Sequence, residues 1–378
     1  KPCGEILESP FDIGHTADEL DSLISLIKSF DEETRVVMED TGHYHLPVAT
    51  YLSSHNIFVC CVNALRMKKF CSQSIRQAKT DKIDSIKIAS FGITYWNELV
   101  KAYPSNVIYD ELKFLARQYY QVTGMLVKSK VNFSNLLDQV MPKINDVLSN
   151  QGENHKLTEF VSLYIHFQNI LDMGEMKFTS DYCKWAKKKG YRLNERKAAE
   201  ILALAQNGIP TLPNSQSVKI AVSEAVKLIH SIEESRNTIL AQMQDLCNTL
   251  PEYSVVKEMD CIGDTLAPRI IAEIGDVRRF KNKHSLIAYA GIDAPPYQSG
   301  AFHASERHIS KRGNSYLRKT GYEIMQSLIK HKPADNAVYD FIQKKRSEGK
   351  CGKEAMIAGL NKFLRVYYGK VMEFYSEH

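Results

Sequence analysis

The chain has 378 residues, 44% of them hydrophobic and 25% charged, with a formal net charge of +5. That length allows two or three domains, each with its own core. The composition is that of an ordinary globular chain, and with no apolar run of membrane-span length and nothing resembling a signal peptide, a cytoplasmic protein is expected.

Residues 1–107 alternate strand-like and helix-like segments. RVVME (35–39) and NIFVCCV (56–62) read as strands, and YHLPVATYLSS between them as a connecting helix. That alternation predicts an α/β layer with parallel strands. Glu39 falls at the carboxyl end of the first strand, where active sites of open α/β sheets form. The block AKTDKIDSIKIA (78–89) leads into a helix over 81–95, with Asp81 and Asp84 on one face and Ile83, Ile86 and Ile88 largely on the other. Together with Glu39 these are three carboxylates suited to a hard cation such as Mg²⁺ and to phosphoryl transfer. The bland alternative for such an Asp pair is a solvated helix face. Cys60 and Cys61 lie inside the apolar run, and none of the eight cysteines forms a C-x-x-C pair. They read as buried thiols of a reducing compartment, neither zinc ligands nor a disulfide framework.

From residue 108 to 250 the texture is that of long helices. Leu112, Leu115, Tyr119, Val122 and Leu126 recur at helical spacing until Pro142 interrupts. In 181–200, seven Lys and Arg interleave with Tyr182, Trp185 and Tyr191, which fits either a single-stranded nucleic-acid surface or an amphipathic helix. NGIPTLPNSQS (207–217) reads as a linker. Beyond it Val218, Val222, Ala225, Ile229, Ile232, Arg236, Ile239, Met243, Leu246 and Leu250 alternate in steps of 4 and 3, the pattern of a coiled-coil seam. Self-association as a homo-oligomer, dimer or tetramer, is the expectation; an intramolecular helical hairpin gives the same pattern. Pro251 stops the helix.

The segment 251–378 carries most of the basic character. Between Arg278 and Lys319 nine Lys and Arg face only Asp293 and Glu306, leaving the rest of the chain slightly acidic. Such a patch is the footprint of a phosphate-backbone contact surface. The nucleic-acid candidates are Arg278, Arg279, Lys283, Arg307, Lys311, Arg312, Arg318 and Lys319. Gly263 and Gly275 bracket a short helix in a helix–turn–helix-like unit, the kind that presents backbone N–H groups to phosphates. Pro295 and Pro296 forbid a regular helix before Gln298-Ser299-Gly300, which reads as a glycine-flexed loop. A serine there is a nucleophile only if a base or metal activates it. On composition alone it is a turn residue.

Three blocks occur in one order: VVMEDTGHYH, then AKTDKIDSIKIA, then AEIGDVRRF with LIAYAGIDAPPYQSG and ISKRGNSYLRK. In this the chain resembles the IS-one-ten family of insertion-sequence transposases, relatives of the Piv DNA invertases. The resemblance implies an α/β RuvC-like (RNase H-like) domain over 1–107 with an Asp-Glu-Asp-Asp metal site. It also implies a helical coiled-coil region over 108–250 and a transposase domain with a nucleophilic serine over 251–378. Glu39 matches the second acid, Asp81 and Asp84 the third and fourth, and Ser299 in YQSG the serine. The first aspartate belongs to an opening strand ahead of KPCGEILES, and the chain starts at Lys1 without it. The implied activity is Mg²⁺-dependent recombination of donor and target DNA through a phosphoserine intermediate, guided by a structured bridge RNA. Two readings compete with it: a RuvC-like nuclease in which water attacks, and a non-catalytic nucleic-acid-binding remnant of a mobile element.

Overall fold

The β-branched run RVVMED forms strand β1 (Arg35–Asp40), and FVCCVN forms β2 (Phe58–Asn63), parallel to it from Arg35 opposite Phe58 to Asp40 opposite Asn63. The computed structural model describes residues 5–378 apart from 41, 43, 73–79, 103–105, 151–153, 193, 296–297, 300–301 and 304–307, with backbone only at 298–299 and 302–303. The chain divides into two units, Lys1–Asn106 and Val107–His378. Among the described residues no helix is long and apolar enough to cross a membrane, and the cysteines are free thiols.

In the Lys1–Asn106 unit the crossover between the strands is α2 (His45–Ser54), with Pro47 in its first turn, where a missing N–H costs nothing. Helix α1 (Ala17–Lys28) precedes β1, and α3 (Ala64–Cys71) and α4 (Asp81–Thr94) follow β2. Successive strand side chains point to opposite faces. Val59 therefore packs with Ile24, Leu52 and Ile57 on one side of the sheet, and Cys60 and Val62 pack with Met67 and Phe91 on the other. Covering both faces explains why β2 is a continuous apolar run rather than an alternating one. Among the described residues the sheet has only two strands. Ala102 N–H donates to the Val59 carbonyl at 2.6 Å, so the chain beyond α4 lies along the outer edge of β2.

Helix α4 runs antiparallel to β1. Arg35, at the start of the strand, donates to the Trp96 carbonyl just beyond the helix at 2.7 Å. A Cβ on Gly92 would lie 2.9 Å from Val37, so only glycine lets helix and strand approach this closely. The first turn of α4 thus points toward the carboxyl end of β1.

Among the described residues, the regular structure of the Val107–His378 unit is helical apart from one short antiparallel strand pair. Its axis is a pair of long helices, α5 (Val107–Val140) and α11 (Gln216–Asn248). The start of α5 shares a core with the end of α11, through Leu112, Ala116, Met243 and Cys247, while Phe133 and Leu137 pack with Val222, Val226 and Ile229. The pair is therefore antiparallel. The 4–3 apolar stripe of α11 is covered within the chain by α5, which is the helical-hairpin alternative; Arg236 sits half-buried on it.

Helices α6 (Ile144–Val147), α7 (Lys156–Tyr164), α8 (Phe167–Met173), α9 (Glu175–Lys188) and α10 (Glu195–Asn207) pack on one end of this pair. Tyr182 is fully buried there, and Trp185 and Tyr191 are half-buried and packed against each other at a tilt, so the rings of 181–200 pack onto the core and do not form an exposed platform. The segment expected to be a linker is docked: Thr211 and Leu212 N–H donate to the Gln139 carbonyl at 3.0 and 3.2 Å.

The other end carries α12 (Tyr253–Lys257), α13 (Gly263–Ile274), α14 (Lys283–Ala290), strands β3 (Gln298–Ser299) and β4 (Phe302–His303), then α15 (Ser315–His331), α16 (Ala337–Ser347) and α17 (Gly352–Glu377). From Ala267 to Ile274 every residue of α13 is buried, so that part of the helix is a core element and cannot face DNA. The sequence predicts a loop at Ser299; the backbone of Gln298–Ser299 instead pairs antiparallel with Phe302–His303, with Ser299 opposite Phe302.

Candidate functional site

Glu39 is half-buried at the end of β1, opposite Val62. Asp81 and Asp84 occupy the first turn of α4, which Thr80 caps by accepting the Ile83 N–H at 3.3 Å. Carboxylates are favoured there by the unpaired N–H groups and the helix dipole, so the two acids sit comfortably without a metal. Asp81 is exposed, and Asp84 is half-buried with the Lys87 ammonium 3.9 Å away. Ile83 and Ile88 are half-buried, as expected, while Ile86 is exposed.

All three acids lie at the same end of the β1–α4 pair, but at different heights. Counting from the Gly92–Val37 contact, Asp84 is about 12 Å along the helix, whereas Glu39 is only about 7 Å along the strand. The first turn of α4 therefore overhangs the strand end, and the three carboxylates are not drawn to ligand spacing; the group of described residues that is so drawn lies elsewhere. Beside Glu39, the exposed Asp40 carboxylate stands 3.5 Å from His45 Nε2, and the buried His45 Nδ1 has no hydrogen-bond partner among the described residues. The donors are hard oxygens of the type Mg²⁺ takes, and three acids leave coordination positions for water and phosphate. Donor chemistry and placement at one strand end fit a Mg²⁺ ion; the overhang means that the side chains must close inward to hold it.

The C-terminal candidates fall into two groups. Several of the cations serve the fold. Arg278 forks onto Asp276 and lies over Tyr375, which raises its already high pKa; Arg279 donates to the Ile274 carbonyl at 3.0 Å. Arg318 donates to the carbonyls of Ala290 and Gly313, and Lys319 lies over the Tyr120 ring. Lys283, Lys311 and Arg312 are exposed. Arg307 lies outside the described residues, as does the Ser299 side chain.

A buried polar cluster that the sequence reading missed holds this region together. Glu273, 1% exposed, is gripped by both arms of Arg117 and by Asn314 Nδ2 at 2.7 Å. Asn314 also caps α15, accepting the N–H groups of Tyr316 and Leu317. Arg117 stacks on Tyr316, 3.8 Å from the ring centroid. The turn before α15 is locked from the other side: a Cβ on Gly313 would meet the Tyr289 carbonyl oxygen at 2.3 Å. Burial pushes the Tyr289 phenol up, but Lys113 and Arg279 outweigh it and leave its pKa lowered. Ser310 donates to Asp293 at 2.5 Å, so its hydroxyl is engaged. The AEIGD, GID and KRGNSYLRK blocks are thus one folded unit, with Glu273 as its anchor. An Asn opening a helix is a legible cap; its second bond, to an acid 41 residues earlier, is not.

Residues 1–142 match the DEDD-type transposase domain of the IS110 family, and residues 253–340 match the transposase domain of the IS116/IS110/IS902 family. The chain belongs to the IS110 family of transposases. The first match covers the unit with the acids and runs on through α5; the second spans Glu273, Ser299 and Asn314. Among relatives, the chain is 21% identical over 299 residues to an uncharacterized 43.6 kDa protein of insertion element IS110 from Streptomyces coelicolor, covering 79% of this chain and 72% of that one. It is 26% identical over 136 residues to the pilin gene-inverting protein of Moraxella bovis, covering 35% and 42%. It is 22% identical over 174 residues to an uncharacterized 44.8 kDa protein of insertion element IS116 from Streptomyces clavuligerus, covering 46% and 43%. A transposase of this family is a DNA recombination enzyme.

Proposed function

We propose that this IS110-family transposase cuts and rejoins donor and target DNA by serine-based transesterification, guided by a structured bridge RNA. The observation that carries the reading is the pairing of two separate family matches, one over Glu39, Asp81 and Asp84 and one over the YQSG motif of Ser299. In this reading the Lys1–Asn106 unit is RuvC-like, and its acids hold Mg²⁺. When bound, that ion neutralises charge on the scissile phosphate and makes a nearby hydroxyl easier to ionise.

The chain's own residues supply the rest. Ser299 Oγ gives up its proton and attacks phosphorus; an Oγ–P bond forms and a P–O bond to the DNA sugar breaks, releasing a DNA hydroxyl. Lys311 and Arg312 orient the phosphodiester and offset its charge. After strand exchange, the hydroxyl of the new partner attacks the phosphoserine, and the serine regains its proton. No bond energy is lost to hydrolysis, so no external energy source is needed. Assembly as a dimer or tetramer brings the cut ends together, using surface other than the stripe of α11 already covered by α5.

The test compares Ser299→Ala with Asp84→Asn on labelled DNA with the element's RNA and Mg²⁺. The proposal expects both variants to bind and neither to cut or rejoin. Cutting by Ser299→Ala sinks the serine mechanism and favours a nuclease in which water attacks. Full recombination by Asp84→Asn sinks the role of the acids.

A further inference from the structure

The described residues contain one group of three side chains at metal-ligand spacing, and it is remote in sequence from every residue assigned above. His155 precedes α7, and His230 and Glu233 lie three apart on α11, a spacing that places both on one face. Their ligand atoms all lie within 4.8 Å of one another. We infer that His155, His230 and Glu233 form a Zn²⁺ site that fastens α7 to the α5–α11 pair.

Glu233 is 8% exposed, and its Oε2 is buried with no hydrogen bond among the described residues. A buried carboxylate oxygen left in this state is costly unless something cationic completes it. The other oxygen is already satisfied by Lys130 of α5, at 2.7 Å. Lys130 thus holds the carboxylate as an outer partner holds a metal ligand, leaving Oε2 turned toward the imidazoles. His155 Nδ1 stands 3.4 Å from Oε2. Two ligands each about 2.05 Å from zinc stand about 3.3 Å apart at the tetrahedral angle, so this edge already has the required length. The His155 and His230 rings meet edge to face at 4.9 Å, close enough for both to turn a nitrogen to one ion.

The donor set decides which ion. Two imidazoles and one carboxylate suit zinc and its neighbours, whereas Mg²⁺ takes oxygen. The site is therefore chemically distinct from the acids of the first unit. Three protein ligands leave a fourth position for water, and His230 also lines a surface groove with Ser162, Ser223 and Lys227 through which an ion can enter.

The test uses the full chain, stripped with a chelator, returned to excess Mg²⁺ and titrated with Zn²⁺. Bound zinc is counted after gel filtration, and melting temperature and hydrogen exchange at the start of α7 are followed. One zinc per chain is expected, with a higher melting temperature and slower exchange at 154–160. The His155→Ala/His230→Ala double variant should lose all three effects. Glu233→Gln keeps an oxygen for Lys130 while removing the anionic ligand; it should weaken zinc binding at least tenfold, and it carries the test if the double variant does not fold. Equal zinc on wild type and variants would assign the metal to the free thiols and overturn the site. So would failure of the wild type to bind zinc at all.

Discussion

The two regions that carry the candidate chemistry are built in opposite ways. At the acid end of the Lys1–Asn106 unit, Glu39, Asp81 and Asp84 sit on a strand end and a helix start with hardly a tertiary bond among the described residues; Asp84 pairs with Lys87 of its own helix at 3.9 Å. In the C-terminal unit, by contrast, Glu273 is buried and held by the partly buried Arg117 and Asn314. Acids that are half-buried or exposed and hold few partners can be exchanged at little cost to the fold, so their identity is free to answer to chemistry. The Glu273 cluster answers first to folding, and whatever it does for DNA it does by fixing the KRGNS turn. Residue type alone does not separate these roles; burial and partners do.

This contrast can be broken most sharply at the acids. Asp84→Asn and Glu39→Gln are each expected to cut recombination by at least roughly 10³-fold, while shifting folding stability by no more than about 0.5 kcal/mol. Rate measurements beside urea melts check both halves, and a large loss of stability would erase the distinction. At Glu273 the order reverses. Glu273→Ala should cost roughly 3 kcal/mol, because it leaves Arg117 and Asn314 facing a void. Calorimetry or urea melts should also show that Glu273→Gln, which keeps the Asn314 bond, costs less.

A smaller effect is expected at Gly313. Gly313→Ala pushes a methyl into the Tyr289 carbonyl and should cost about 1–3 kcal/mol. If the turn gives way without loss, the lock described here is absent. The smallest effects belong to the exposed cations. Lys311→Ala and Lys283→Ala should leave the melting curve in place, weaken DNA binding at all sequences alike, and lower the salt dependence of log K by about one unit each. Arg318→Ala, in contrast, should lower stability, since its guanidinium bonds the carbonyls of Ala290 and Gly313.

The sequence made much of the first unit legible, because a parallel β–α–β crossover has a local signature. The run RVVMED, the Pro47-bearing helix and FVCCVN appear within a residue or two of their expected positions, parallel as predicted. What it could not reveal was the height of α4 on β1, which is set by contacts such as Gly92 against Val37, 55 residues apart, and Arg35 on the Trp96 carbonyl. In the second unit, periodicity located α11 but not what covers it, since a heptad stripe reads the same whether the partner is α5 or another copy. Charge counting also could not reveal own-chain partners. Arg278 and Arg279 are exposed and Arg318 half-buried, and each bonds a carboxylate, a carbonyl or a ring of its own chain. The bond between Arg117 and Glu273 escaped notice because the two lie 156 residues apart.

The central claim is that Ser299 becomes covalently joined to DNA. The full chain, incubated with the element's RNA, Mg²⁺ and a suicide DNA substrate whose cut end cannot rejoin, is denatured, digested and mapped by mass spectrometry. The account predicts a phosphodiester-linked nucleotide on the peptide bearing Ser299, absent when Asp84 is Asn. Cleaved DNA with no protein adduct, or an adduct on Ser315 that persists in Ser299→Ala, would contradict it.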